Sequence, residues 1–169
     1  MKTLSLLPFL FLSHISSGES LIGQWESCDV INPSRHLEYQ VQFLPNGIMI
    51  EIEFVRDQSI TPCEGKRLFA LLKVSKFQSI NNRLETILYT ADVFSYDDAS
   101  TRQFSNGYEC GVEKWETRKE VNCLGKTFIG TPFNKWNREL YLFEVKGERL
   151  YVTEEDGTRM VFDKGTGLK

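Results

Sequence analysis

Along most of the chain apolar and polar residues alternate with a period of two, the pattern of strands that bury one face and wet the other. In Leu37-Glu38-Tyr39-Gln40-Val41-Gln42-Phe43 the alternation is strict, and Ile48, Ile50, Ile52 and Phe54 continue it against Met49, Glu51, Glu53 and Val55. Between these runs lies Leu44-Pro45-Asn46-Gly47. Its Asn-Gly pair tolerates positive φ and predicts a tight hairpin. A second pair of strands is predicted over residues 66–78 and 84–96, joined by Ile80-Asn81-Asn82-Arg83. Leu68, Ala70, Leu72 and Val74 share one face of the first, and Ile87, Tyr89, Ala91 and Val93 one face of the second. Residues 138–146 and 149–154 predict a further hairpin around Lys146-Gly147, and Asp156-Gly157 turns into a last strand over 159–163.

Residues 97–137 break this rhythm. Asn106-Gly107 and Gly125 punctuate them, and Gly107–Trp115 with Val121–Phe128 predict a twisted hairpin. No segment carries a helical apolar face, and Thr117–Val121 offers one turn at most. With Leu21–Cys28 as the first strand, eight or nine antiparallel strands in sequence order predict an all-β fold. An up-and-down barrel or a strongly twisted sandwich would fit, and a single barrel is the favoured form because closure removes the exposed edges that invite aggregation.

The first 18 residues follow a different logic. Lys2, the apolar run Leu4–Leu12, and Ser16 and Gly18 before Glu19 come in the order of a signal peptide. The run is far shorter than the roughly 20 residues that span a bilayer, and no later segment is apolar enough, so no membrane span is expected. The expected division is a leader over 1–18 and a barrel domain over 19–169, secreted or periplasmic. The whole chain has a formal charge of −3; without Lys2, 19 basic residues face 23 acidic ones, giving −4. That balance excludes an electrostatic nucleic-acid binder. His14 leaves with the leader, so His36 is the sole histidine of the mature chain.

All four cysteines, Cys28, Cys63, Cys110 and Cys123, follow the leader. An even number in an exported chain reads as disulfides, with three possible connectivities. Cys28–Cys63 and Cys110–Cys123 are favoured because each brackets a locally folding segment. The cysteines lack the close C-x-x-C spacing of a zinc site. Gly125-Lys126-Thr127 lacks a phosphate loop's first Gly, since position 120 is Glu120. His36 follows Asn32-Pro33-Ser34 and reads as a surface loop residue. Glu51/Glu53 and Glu154/Glu155/Asp156 read as solvated faces. No catalytic residue, metal or cofactor is therefore predicted, and the chain is not expected to be an enzyme.

Leu21-Ile22-Gly23-Gln24-Trp25 resembles the G-x-W of the first strand of lipocalins, avidins and related calycin barrels. The resemblance implies that Gly23 permits a bend and that Trp25 closes one barrel end beneath an Arg of the last strand. Arg159 is the first candidate for that Arg, Arg149 the second. Gly23-x-Trp25-x-Ser27-Cys28, with Arg56-Asp57 and Cys63-Glu64-Gly65, is also similar to small secreted barrel domains. In these a bridge ties strand one to the loop after strand three.

A lipocalin-like barrel implies non-catalytic binding of a small apolar or amphipathic ligand by a monomer. The expected lining is Tyr39, Val41, Phe43, Ile50, Ile52, Leu72, Ile87 and Tyr89, with Leu68, Leu142 and Val152 beside them. Such a barrel should enclose roughly 300 Å³ or more, whereas in a narrow barrel the same side chains fill the interior. The competing expectation is a protein-interaction module, an inhibitor or envelope-associated protein, using the outer face or the 97–137 loops. The aromatic residues Trp115, Phe128, Phe133 and Trp136 stand in those loops.

Overall fold

Turn chemistry lays out the meander. In the computed structural model, which describes residues 21–165 apart from 33, 58–60 and 62, each long strand is followed by its antiparallel neighbour. Strands β1 (Gly23–Asn32), β2 (Arg35–Phe43), β3 (Ile48–Asp57), β4 (Arg67–Ile80) and β5 (Arg83–Ser95) pair in sequence order. After an inserted segment, β9 (Arg138–Lys146), β10 (Arg149–Thr153) and β11 (Arg159–Lys164) continue the sheet. β9 pairs with β5 and β11 with β1, so eight antiparallel strands close into one barrel. The insertion holds helix α1 (Asp98–Asn106), β6 (Glu120–Asn122), which pairs with β5 as an extra strand, and the small ribbon of β7 (Thr127–Phe128) and β8 (Thr131–Pro132). The leader expected over residues 1–18 lies outside the described residues.

Two local features decide which faces point inward, and both depart from simple alternation. The first is the β2–β3 turn. The Leu44 N–H donates to the Ile48 carbonyl at 2.9 Å, which leaves the three-residue loop Pro45-Asn46-Gly47, with Gly47 at φ +76°. A three-residue loop sets odd positions opposite odd ones, so Phe43 faces Met49, Val41 faces Glu51 and Tyr39 faces Glu53. The even-numbered Ile50 and Ile52 are thereby turned to the outer face. The second is a β-bulge between β4 and β5. Val74 pairs with Thr90 and Ser75 with Leu88, which leaves Tyr89 as the extra residue. Ala91 and Val93 lie inward above the bulge, whereas Ile87 and Tyr89 lie outward below and at it.

The barrel core contains Trp25, Phe43, Met49, Leu84, Phe143, Leu150 and Phe162, all buried. Trp25 is 1% exposed and sits opposite Val41 and Lys164, with its indole N–H donating to the Leu21 carbonyl at 2.9 Å. It is packed into the barrel core where β1 begins and β11 ends, and Arg159 is not beside it. Arg159 lies five positions along β11 from Lys164, roughly 16 Å away by strand rise, and its guanidinium lies 4.3 Å from the half-buried Tyr151 ring. Arg149 stands at the Trp25 end, level with Asp163, but it is exposed and pairs with that residue at 3.1 Å.

Both favoured disulfides are present, with Cα–Cα distances of 6.1 Å for Cys28–Cys63 and 5.0 Å for Cys110–Cys123. The chain-entropy model assigns the longer and shorter loops about 4 and about 3 kcal/mol. The first ties β1 to the loop after β3. Gly65 is obligatory in that loop, because a Cβ there would stand 2.1 Å from the Asp57 carbonyl oxygen. His36 belongs to this device and not to a surface loop. It lies in β2, is 6% exposed, and its Nδ1 accepts the Cys63 N–H at 3.2 Å.

The insertion differs most from expectation. α1 replaces irregular chain, capped by Asp97, whose carboxylate accepts the Ser100 N–H at 2.8 Å. Gly107–Trp115 and Val121–Phe128 do not form a hairpin, since a 3-10 turn at Glu109–Gly111 and the β5–β6 pairing take their place. β9 pairs with β5 only over Arg83–Ile87. Beyond that point the inward face of β4 and β5 is covered instead by Phe104, Trp115, Phe128 and Phe133, a second core around the buried Cys110–Cys123 bridge. Phe104 meets Phe69, Trp115 and Phe128 edge to face at 5.0–5.3 Å.

Trp25→Ala should destabilise the domain by about 3–5 kcal/mol. The measurement is the urea unfolding midpoint at unchanged m-value, and a loss below about 1 kcal/mol would remove Trp25 from its role in the barrel core.

Candidate functional site

The barrel interior is a cavity of about 210 Å³, smaller than the roughly 300 Å³ expected of a ligand barrel. Its apolar part is formed by Val41, Phe43, Met49, Leu84, Leu150, Val152, Met160 and Phe162. Its polar part holds Glu51, Glu53, Lys73, Glu139, Glu154, Tyr39 and Tyr141. The two are segregated along the barrel axis. Phe43, Met49, Leu150 and Phe162 lie toward the Trp25 end, and Glu139 and Glu154 toward the opposite end, where Glu139 is exposed.

Of the expected lining, Tyr39, Val41, Phe43 and Val152 face the cavity. Ile50, Ile52, Leu72, Ile87, Tyr89, Leu68 and Leu142 do not. The odd-on-odd β2–β3 register turns Ile50 and Ile52 out, and Leu72 follows because it pairs with Ile52. The Tyr89 bulge turns out Ile87 and Tyr89. Leu142 is 55% exposed.

In place of Ile50 and Ile52, the inward face of β3 carries Glu51 and Glu53, the pair assigned to a solvated face by sequence. Lys73 makes this possible. It pairs with Glu51 across the β3–β4 ladder, donates to Glu51 Oε1 at 3.0 Å, and also ion-pairs with Glu53 Oε1. All three side chains are only about one-fifth exposed, 19–23%. Burial opposes the Lys73 charge, but the two carboxylates outweigh it and raise its pKa well above the ordinary ammonium value. Glu51 is also disfavoured by burial, yet Lys73 and the hydrogen bonds within the triad hold it below the usual carboxylate range. For Glu53 burial prevails over Lys73, and the neighbouring Glu51 charge adds to it, so its pKa is pushed up to about 7. One ammonium therefore fully neutralises one carboxylate, and the second retains a proton until near neutrality.

Around this triad, Tyr141 donates to Glu139 Oε2 at 2.5 Å, and both burial and that bond raise its pKa. Burial, then the Glu53 and Glu51 charges, raise that of Tyr39. Glu154 is raised by burial and by Asp156, and among the described residues no hydrogen bond or ion pair reaches its carboxylate. Glu53 and Lys73 also border a second cleft of about 240 Å³ on the far side, between Ile31, Leu37, Val55 and the β7–β8 ribbon. Glu53 and Lys73 thus stand between two spaces.

Among the described residues no group of three or more His, Cys, Asp or Glu side chains is placed to hold a metal ion. No helix among them is long and apolar enough to cross a membrane. The disulfides fit an oxidising compartment. Of the loop aromatics, Trp115, Phe128 and Phe133 are buried, whereas Trp136 is 55% exposed and meets Tyr89 edge to face at 4.8 Å. Comparison with protein-family models and with curated proteins finds no match for this chain.

Two outcomes test the triad. Lys73→Met leaves two buried carboxylates without their cation and should cost roughly 3–5 kcal/mol at neutral pH, less below about pH 5 as they take up protons. Glu53→Gln should behave oppositely. A carboxyl whose folded pKa is raised to about 7 contributes stability below its unfolded value, and that contribution is lost as pH rises through 7. The Gln variant should therefore match the parent near pH 5 and exceed it by roughly 2–3 kcal/mol above pH 8. Parallel stability curves for the two proteins across that window would contradict the assignment.

Proposed function

We propose that this protein is an exported, non-catalytic, monomeric binding protein that takes a small amphipathic molecule into its barrel. The observation that carries the reading is the interior cavity, apolar at its Trp25 end and polar toward the other. Such a site holds a ligand by burial and shape while a few polar groups fix its orientation. The G-x-W opening strand, followed by a closed meander, supports placing the chain with lipocalin-like barrels. The apolar run before Glu19 and the paired cysteines support secretion or residence in a periplasm.

The volume restricts the occupant to something small: 210 Å³ lies below the usual drug-sized range. Binding is a better reading than catalysis. Glycoside chemistry would need both carboxylates to flank a sugar linkage, but Glu51 and Glu53 instead share Lys73. A second reading, contact with a protein partner, is favoured by the exposed Tyr108, Ile129 and Trp136 of the insertion. Native mass spectrometry of protein from its own source separates the two, a small retained mass supporting the first and a polypeptide the second.

The cavity itself is tested by filling it. Calorimetric titration with hexanol, a compact amphipathic probe, should give saturable uptake that Val152→Phe abolishes with little change in melting temperature. A smaller substitution, Val152→Leu, should weaken uptake and guards against misfolding of the Phe variant. Uptake indifferent to both substitutions would place the probe elsewhere and end the cavity reading.

A further inference from the structure

We infer that the barrel selects organic cations, compact apolar bodies bearing an ammonium group, with the ammonium lodged near Glu139 and Glu154 and the apolar body directed toward Phe43, Leu150 and Phe162. The inference rests on the proposed use of the cavity and adds the charge of its occupant.

The lining determines the sign. Among the described residues that border the cavity, the charged groups are Glu51, Glu53, Glu139 and Glu154 against Lys73. Lys73 is not available to an incoming anion, because Glu51 and Glu53 already hold it from the adjacent strand. A carboxylate ligand would therefore enter a space in which every remaining charge repels it. A neutral alcohol would leave the Glu154 carboxylate without a counter-charge, since no described side chain pairs with it. An ammonium group supplies what is missing, as a charge-assisted donor to Glu154 and to Glu139, whose Oε2 already accepts the Tyr141 hydroxyl.

Position reinforces sign. The β9–β10 ladder sets Thr153 opposite Leu142, which brings Glu154 level with Tyr141 on the inward side. The head-group site is thus two carboxylates beside the Tyr141 ring, which also borders the cavity and adds cation–π attraction. Glu155 and Asp156 continue the negative charge onto the exposed β10–β11 turn. Arg83 and Arg138 border the clefts just outside, but Arg138 is held by Glu85 at 2.6 Å, so acidic groups outnumber basic ones around Glu139 and Glu154 and the field there draws in a positive charge. The apolar residues at the Trp25 end then accept the body of the ligand, so one molecule satisfies both halves of the cavity.

Three probes of equal length and different head charge provide the test: hexylamine, hexanol and hexanoate, titrated calorimetrically at neutral pH and low salt. Hexylamine should bind at least tenfold more tightly than hexanol, with hexanoate weakest, and added salt should narrow the gap. In Glu139→Gln/Glu154→Gln, whose substitutions lie at the rim and retain acceptor atoms, the amine should lose most of its advantage over the alcohol. Hexanol or hexanoate binding as tightly as the amine overturns the cation assignment and leaves the cavity reading standing. An amine preference unchanged in the double variant also overturns it, by assigning the preference to general surface acidity. Failure of all three probes to bind overturns the cavity reading and this inference together.

Discussion

The interior of this barrel depends on Lys73 standing between Glu51 and Glu53. Two carboxylates on the inward face of a strand would each forfeit several kcal/mol of hydration, more than a domain of this size can absorb twice. One ammonium from the neighbouring strand makes the arrangement tolerable because it reaches both. The triad has a second effect. Side chains tied to one another across β3 and β4 do not collapse into the lumen as Ile50 and Ile52 would, so the middle of the barrel stays open above an apolar floor. Charge here maintains space.

The strands and turns were legible in the sequence, and the faces were not. Period-two alternation and the Asn-Gly, Asn-Asn, Lys-Gly and Asp-Gly pairs located all eight barrel strands. Which half of each alternation points inward depends on the number of residues in a turn or bulge, and a change of one exchanges the faces. β2 follows its apolar half, so Tyr39, Val41 and Phe43 face the cavity. β3 does not, because a three-residue loop couples its odd positions to the odd positions of β2. A trace of this was visible: Lys73 breaks an apolar run in β4 and needs acidic partners, and Glu51 and Glu53 stand two apart on the adjoining strand. The Tyr89 bulge left no comparable trace. α1 was hidden for another reason, since Phe104 is its buried residue and no apolar periodicity can arise from one anchor.

The insertion completes the wall that the barrel strands leave unfinished. β5 outruns β9, so its inward face past Ile87 lacks a neighbour on one side and would expose Leu88, Ala91 and Val93. Helix, 3-10 turn and ribbon supply aromatic cover there, and Cys110–Cys123 fixes that cover at its centre. Aromatic rings meeting edge to face contribute beyond simple burial, which suits a segment with little regular hydrogen bonding of its own. This division also explains why Trp115 and Trp136, similar in sequence context, have opposite fates: one closes the second core, the other lies over the outer face at Tyr89.

The pairing of Trp25 with Lys164 has a consequence for orientation. β1 begins and β11 ends at the Trp25 end of the barrel, side by side, whereas Glu139 and Glu154 stand at the other. A tag, linker or surface attachment joined just before residue 21 or just after residue 165 therefore departs from the underside. A molecule tethered by either point would present its acidic rim away from the support.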